Sequence, residues 1–163
     1  MGLNHALDRW MYRGGRPNRL ARSLNRAWAV AHAAGVWPRR LATLEVPGRR
    51  TGRVVSLPVV IADLDGERYL VAMLGEGSGW PRNVRAAGGH AVLRHGRREA
   101  VRLEEVEPAD RPPVIRRYLA VAPGARAHIP IDRDAPVEAF TPIAPRIPVF
   151  RITADGHPPG RGS

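Results

Sequence analysis

The chain has 163 residues, a formal net charge of +11 and no cysteine. That length suits one domain with one real core, and the missing thiols exclude disulfides, thiolate catalysis and cysteine-ligated zinc. All 26 basic residues are arginine, which excludes a Schiff-base lysine and a Walker-loop lysine and favours a polyanionic partner: nucleic acid, acidic lipid or a multiply charged cofactor.

Residues 3–13 predict a short helix, stopped by Gly14, Gly15 and Pro17. A second helix is expected over 17–34, because Leu20, Leu24, Ala27, Trp28 and Ala31 recur at helical spacing. Both helices are expected to pack on the domain's core as a unit of residues 1–40. The alternative for this basic amphipathic face is peripheral contact with a membrane. Arg9, Arg13, Arg16 and Arg19 interrupt the N-terminus before any signal-like apolar run, and the stretch 27–37 is too short to span a bilayer. A cytoplasmic, possibly membrane-associated protein is the expectation.

A β-prone run with Leu44 and Val46 and another with Val54, Val55 and Leu57 flank Gly48-Arg49-Arg50-Thr51-Gly52. Two guanidiniums and a hydroxyl on a glycine-bounded turn suit phosphate or carboxylate, although an Arg-rich chain also builds such turns as plain polar hairpins. The following strand is expected over 53–62, with Pro58 marking an edge or a bulge. Asp65-Gly66 signals a tight hairpin, and the return strand, 68–74, is apolar on both faces and expected to be central.

Gly75-Glu76-Gly77-Ser78-Gly79-Trp80 then leads into a helix over 81–87. It is not a dinucleotide fingerprint: Trp80 occupies the third glycine position and no βαβ unit surrounds it. Strands are expected over 91–95 and 98–106, a helix over 108–121, loops over 122–146, a last strand over 148–153, and a disordered tail over 154–163. The total is α+β, with a mostly antiparallel sheet or small barrel over 41–153.

Side-chain catalysis has little support. The six histidines show no metal-ligand spacing, no G-x-S-x-G elbow occurs, and the carboxylates at 104–107 and at Asp132 and Asp134 read as solvated surface. No metal is expected. An enzyme of this composition would rely on a cofactor.

The order G-R-R-T-G, strand, Asp-Gly hairpin, Y-L-V-A strand, glycine turn and W-x-x-N-V-x-A, over about 43–103, resembles the deazaflavin (coenzyme F420)-dependent nitroreductase family. The resemblance implies a mostly antiparallel split β-barrel with N-terminal helices, and hydride transfer from the reduced deazaflavin to a quinone, enone or nitroarene. It implies cofactor contacts at Arg49, Arg50, Thr51 and Gly52 in the loop, and at Pro58, Met73 and Leu74 beside the ring. Gly75 and Gly77 match the family's glycine turn, and Trp80 and Asn83 match the residues that follow it. Tyr118 and His128 are the candidates for the acceptor pocket, although the family's substrate tyrosines have no clear counterpart. Alternatives are an FMN-binding or non-catalytic carrier of the same fold, or a basic nucleic-acid-binding domain. The last lacks aromatics interleaved with arginines on a strand face. The expected partner is a small-molecule acceptor, with no specific nucleic acid.

Overall fold

The computed structural model describes residues 38–155. The expected N-terminal helices, with Leu20, Leu24, Trp28 and the membrane contact, lie outside those residues, as do positions 156–163 of the expected tail.

Seven strands make one sheet: β1 (Leu41–Pro47), β2 (Val54–Val60), β3 (Ala62–Leu64), β4 (Glu67–Val71), β5 (His90–Arg94), β6 (Arg98–Glu105) and β7 (Val149–Ala154). Their order is β2-β1-β5-β6-β7-β4-β3, and each neighbouring pair is antiparallel. The two outermost strands, β2 and β3, are consecutive in the chain with Ile61 alone between them. One bent segment therefore serves both ends of the sheet, and the sheet curls into the expected antiparallel split barrel.

Strand alternation builds two apolar layers. Leu44, Leu93, Val101, Leu103, Leu70 and Phe150 point into the barrel, where Trp80 and Val84 from helix α1 (Trp80–Ala86) join them. Val71, Tyr69 and Val149 point outward and are covered by Ile115, Tyr118 and Leu119 of helix α2 (Pro112–Val121). Strand β4 is thus apolar on both faces for the reason its sequence suggested.

The hairpin at Asp65 and Gly66 has φ values of 51° and 79°, the left-handed pair that a two-residue turn of this hand requires. The return strand is shorter than expected. Ala72 N–H donates to the Pro148 carbonyl at 2.9 Å, but proline has no N–H to return a bond. The ladder ends there, and Met73 and Leu74 lie in a turn instead of a strand. The helix expected over 108–121 is divided: Pro108–Asp110 forms a 3₁₀ turn, and the α-helix begins at Pro112. Within 122–146 the chain makes short 3₁₀ turns between irregular segments. The sheet extends through Ala154, and Asp155 still donates its N–H to the Ala100 carbonyl.

The register explains Pro58. Gly48 N–H donates to Arg53 O, and Ile61 N–H donates to Arg40 O. Odd-numbered residues of β2 therefore bond toward β1, and Pro58 stands among the even-numbered ones, which face the free edge. An edge position is where a residue without an N–H fits.

Two outcomes follow from this packing. Phe150→Ala removes the side chain against which Trp80 rests and should cost about 3–5 kcal/mol of unfolding free energy, measured by urea denaturation followed through tryptophan fluorescence. Arg68, with help from His95, holds the Glu99 carboxyl down at about 2. Its contribution is present above its ordinary value of 4.5 and is lost as pH falls toward 2. Glu99→Gln should therefore lower stability at neutral pH, and the gap from wild type should close across that acid window in denaturation midpoints.

Candidate functional site

The basic loop is a closed four-residue turn. Gly48 N–H donates to Arg53 O at 2.7 Å, and Gly52 N–H donates to Gly48 O at 2.8 Å. Thr51 Oγ1 accepts from Arg53 N–H at 3.2 Å, which leaves the hydroxyl proton available to a ligand. The loop is also pinned from outside. Asn83 Oδ1, on the buried side of α1, accepts from the Arg49 backbone N–H at 3.1 Å and from Arg49 Nη1 at 2.9 Å. Arg49 is therefore engaged by the protein itself. Arg50 is exposed and has no hydrogen-bond or carboxylate partner among the described residues.

The glycine turn follows β4. Gly75 has φ of 68°, and a Cβ there would stand 2.9 Å from the Arg146 carbonyl oxygen. Both facts demand glycine. Ser78 Oγ donates to Gly75 O at 2.8 Å and tightens the turn, while the space beside Gly77 is open. Leu74, at 56% exposure, is one of two large apolar side chains held out to solvent in the described chain.

Trp80 is not part of that open surface. It lies inside the barrel with its ring centroid 5.4 Å from that of Phe150. Pro58 is exposed on the outer face of β2, one strand repeat from Val60, which packs on the same outer cluster as Met73. Tyr118 reaches this group: its O–H donates to Met73 Sδ at 3.5 Å, and burial pushes the phenol up to about 12. His128 is exposed after the 3₁₀ turn Pro123–Ala127 and bonds to none of these residues through its side chain. It flanks a separate concavity of about 420 Å³ lined by Arg126, Ile129, Asp132 and Arg133. The structure thus brings Tyr118 to Met73 and leaves His128 apart.

A charged network that local sequence does not reveal joins the glycine turn to the sheet. Arg85 of α1 donates to both carboxylate oxygens of Glu76, at 2.8 and 2.7 Å. Its remaining donors reach both oxygens of Glu105, at 2.8 and 2.6 Å. Buried Arg111 shares Glu105 at 3.3 Å and donates to the carbonyls of Val106, Ala144 and Ile147. The Arg85 guanidinium holds the carboxyls of Glu76 and Glu105 below their ordinary value. Glu105 reads in sequence as part of a solvated acidic run; its partners lie 20 residues before it and 6 after it.

The described chain is thus an antiparallel split barrel in which α1 holds the basic loop through Asn83 and the glycine turn through Arg85. The chain belongs to the F420H(2)-dependent quinone reductase family, which matches residues 19–142. No curated protein matches it. Among solved structures, a protein of unknown function from Agrobacterium tumefaciens is similar at 17% identity and a TM-score of 0.53, over 79% of this chain. This chain spans 55% of that longer one. An F420-H2-dependent reductase is similar at 18% identity and a TM-score of 0.48, over 72% of this chain and 97% of its own. A FAD-binding protein from Mesorhizobium loti is similar at 16% identity and a TM-score of 0.45, over 72% and 82%. The likeness to the Agrobacterium protein shows the fold alone.

The pin at Asn83 has a measurable consequence. Asn83→Ala leaves two loop donors without their acceptor and should cost about 1–3 kcal/mol. Amide exchange over residues 48–53 should accelerate while the strands keep their protection, as read by hydrogen–deuterium exchange.

Proposed function

We propose that this protein transfers hydride from reduced coenzyme F420 to a planar, electron-poor acceptor, with a quinone as the first candidate and enones and nitroarenes of the same shape behind it. The observation that carries this reading is Arg50: an exposed cation with no partner among the described residues, on a loop that Asn83 holds in shape. The residues fit a molecule that is anionic at one end and flat at the other. Arg50 and the Thr51 hydroxyl offer charge-assisted and neutral donors to phosphate or carboxylate oxygens. Met73, exposed Leu74 and Pro58 offer an apolar surface, and the glycines beside them allow close approach to backbone.

When bound, the reduced deazaflavin supplies the hydride, so the protein need not supply a nucleophile or a metal. The chain's task is to bind, to orient and to keep water from the reacting face. Burial raises the Tyr118 phenol to about 12, and its bond to Met73 fixes one side of the apolar surface. A water or a side chain supplies the proton that completes reduction of the acceptor.

Arg50→Ala tests the reading. A hydrogen bond to a charged group contributes about 1.5–3 kcal/mol, so the dissociation constant for the deazaflavin should rise by about 10- to 150-fold with the unfolding midpoint unchanged. Added salt should weaken the wild type more than the variant. The measurement is a fluorescence titration of F420, with FMN in parallel, at two salt concentrations, followed by acceptor-dependent reoxidation of reduced F420. Equal affinity in both proteins would remove the loop from the site. Tighter binding of FMN would reassign the cofactor, and binding without reoxidation by any acceptor would leave a carrier.

A further inference from the structure

Helix α1 stands between the two surfaces that the proposed cofactor would touch. It is seven residues long and plugs the barrel with Trp80 and Val84. Asn83 and Arg85 sit two positions apart on it, so their side chains leave the helix about 200° from each other. Asn83 grips the basic loop. Arg85 grips the glycine turn through Glu76 and the end of β6 through Glu105, with four hydrogen bonds of 2.6–2.8 Å. The opposite wall of the turn is held by the same network: Arg111 shares Glu105 and binds the carbonyls of Ala144 and Ile147, either side of Arg146, whose own carbonyl abuts Gly75.

We infer that Arg85 is a positioning residue: by clamping Glu76 against Glu105 it fixes the 75–79 turn, and hence the apolar surface for the hydride donor and acceptor, at a set place relative to the basic loop. This rests on the F420 reading above. Arginine suits the task because one planar guanidinium can bind two carboxylates in a forked manner, whereas an ammonium acts as a point charge. The clamp is remote from the loop that binds the anionic end, so its loss should disturb orientation more than affinity. Misplacing a reacting group by about 1 Å can cost on the order of 100-fold in rate.

Arg85→Ala, Glu76→Gln and the double variant provide the test, with Arg85→Lys as the conservative control. In the protein without cofactor, hydrogen–deuterium exchange over residues 75–79 should accelerate in Arg85→Ala and in Glu76→Gln, with residues 48–53 unchanged. With reduced F420 and a soluble quinone, kcat should fall by about 10- to 100-fold while the dissociation constant for F420 stays within about three-fold. The double variant should be no worse than Arg85→Ala alone, because the Glu76 contact is already lost there, and Arg85→Lys should recover part of kcat. Unchanged exchange in the single variants would overturn the clamp, whatever the ligand. Accelerated exchange with unchanged kcat would overturn the positioning role. So would additive losses in the double variant, or a loss confined to affinity. A wild type that neither binds nor oxidises reduced F420 would instead overturn the functional reading, and the positioning role with it, while the exchange data would still judge the clamp.

Discussion

The barrel depends on one bend in the chain. β2 and β3 form a single extended segment broken at Ile61, whose N–H still donates to Arg40 O at the last rung of the β1–β2 ladder. Before the bend the segment pairs with β1, and after it the segment pairs with β4. A sheet whose two ends are held by adjacent residues cannot lie flat, so its seven strands must enclose something. They enclose Leu44, Leu70, Leu93, Val101 and Phe150. With the inside filled, ligand chemistry is pushed to the outer face and to the rim.

The rim is where the polar residues converge. α1 plugs one end of the barrel and holds a loop on each side, by an amide in one case and a guanidinium in the other. On the outer face Tyr118 bonds Met73, and Leu74 and Pro58 are exposed. Charge and flat apolar surface therefore meet across a helix of seven residues. The chain's membership of the F420H(2)-dependent quinone reductase family is what makes that juxtaposition of interest.

Much of this was legible in residue order. Asp65-Gly66 announced its hairpin because φ above zero is costly elsewhere, and Pro58 announced an edge because it lacks a donor. The alternation of β4 announced two covered faces. The basic loop was legible as a glycine-bounded turn, but the engagement of Arg49 by Asn83 was not, since the two residues are 34 apart. Trp80 reads as a ligand-facing aromatic in a motif, and only the position of Phe150 shows that it faces inward. The end of β4 was misread because the residue that stops it, Pro148, arrives from the far end of the chain. The Glu76–Arg85–Glu105–Arg111 network followed no local period at all, which is why its acidic members resembled ordinary surface.

The place of Pro58 also bears on how such a barrel avoids adding strands from a second chain. β2 reads VVSLPVV and forms an outer strand of the sheet. A long apolar edge with a regular row of donors is a template on which a second chain can add a strand and begin an aggregate. The register puts the proline in the row that faces away from β1, so that row is missing a donor near its middle. An incoming strand would meet a break in the ladder and the bulk of a pyrrolidine ring. The barrel can thus leave β2 as an outer strand without offering it as a seam for polymerisation.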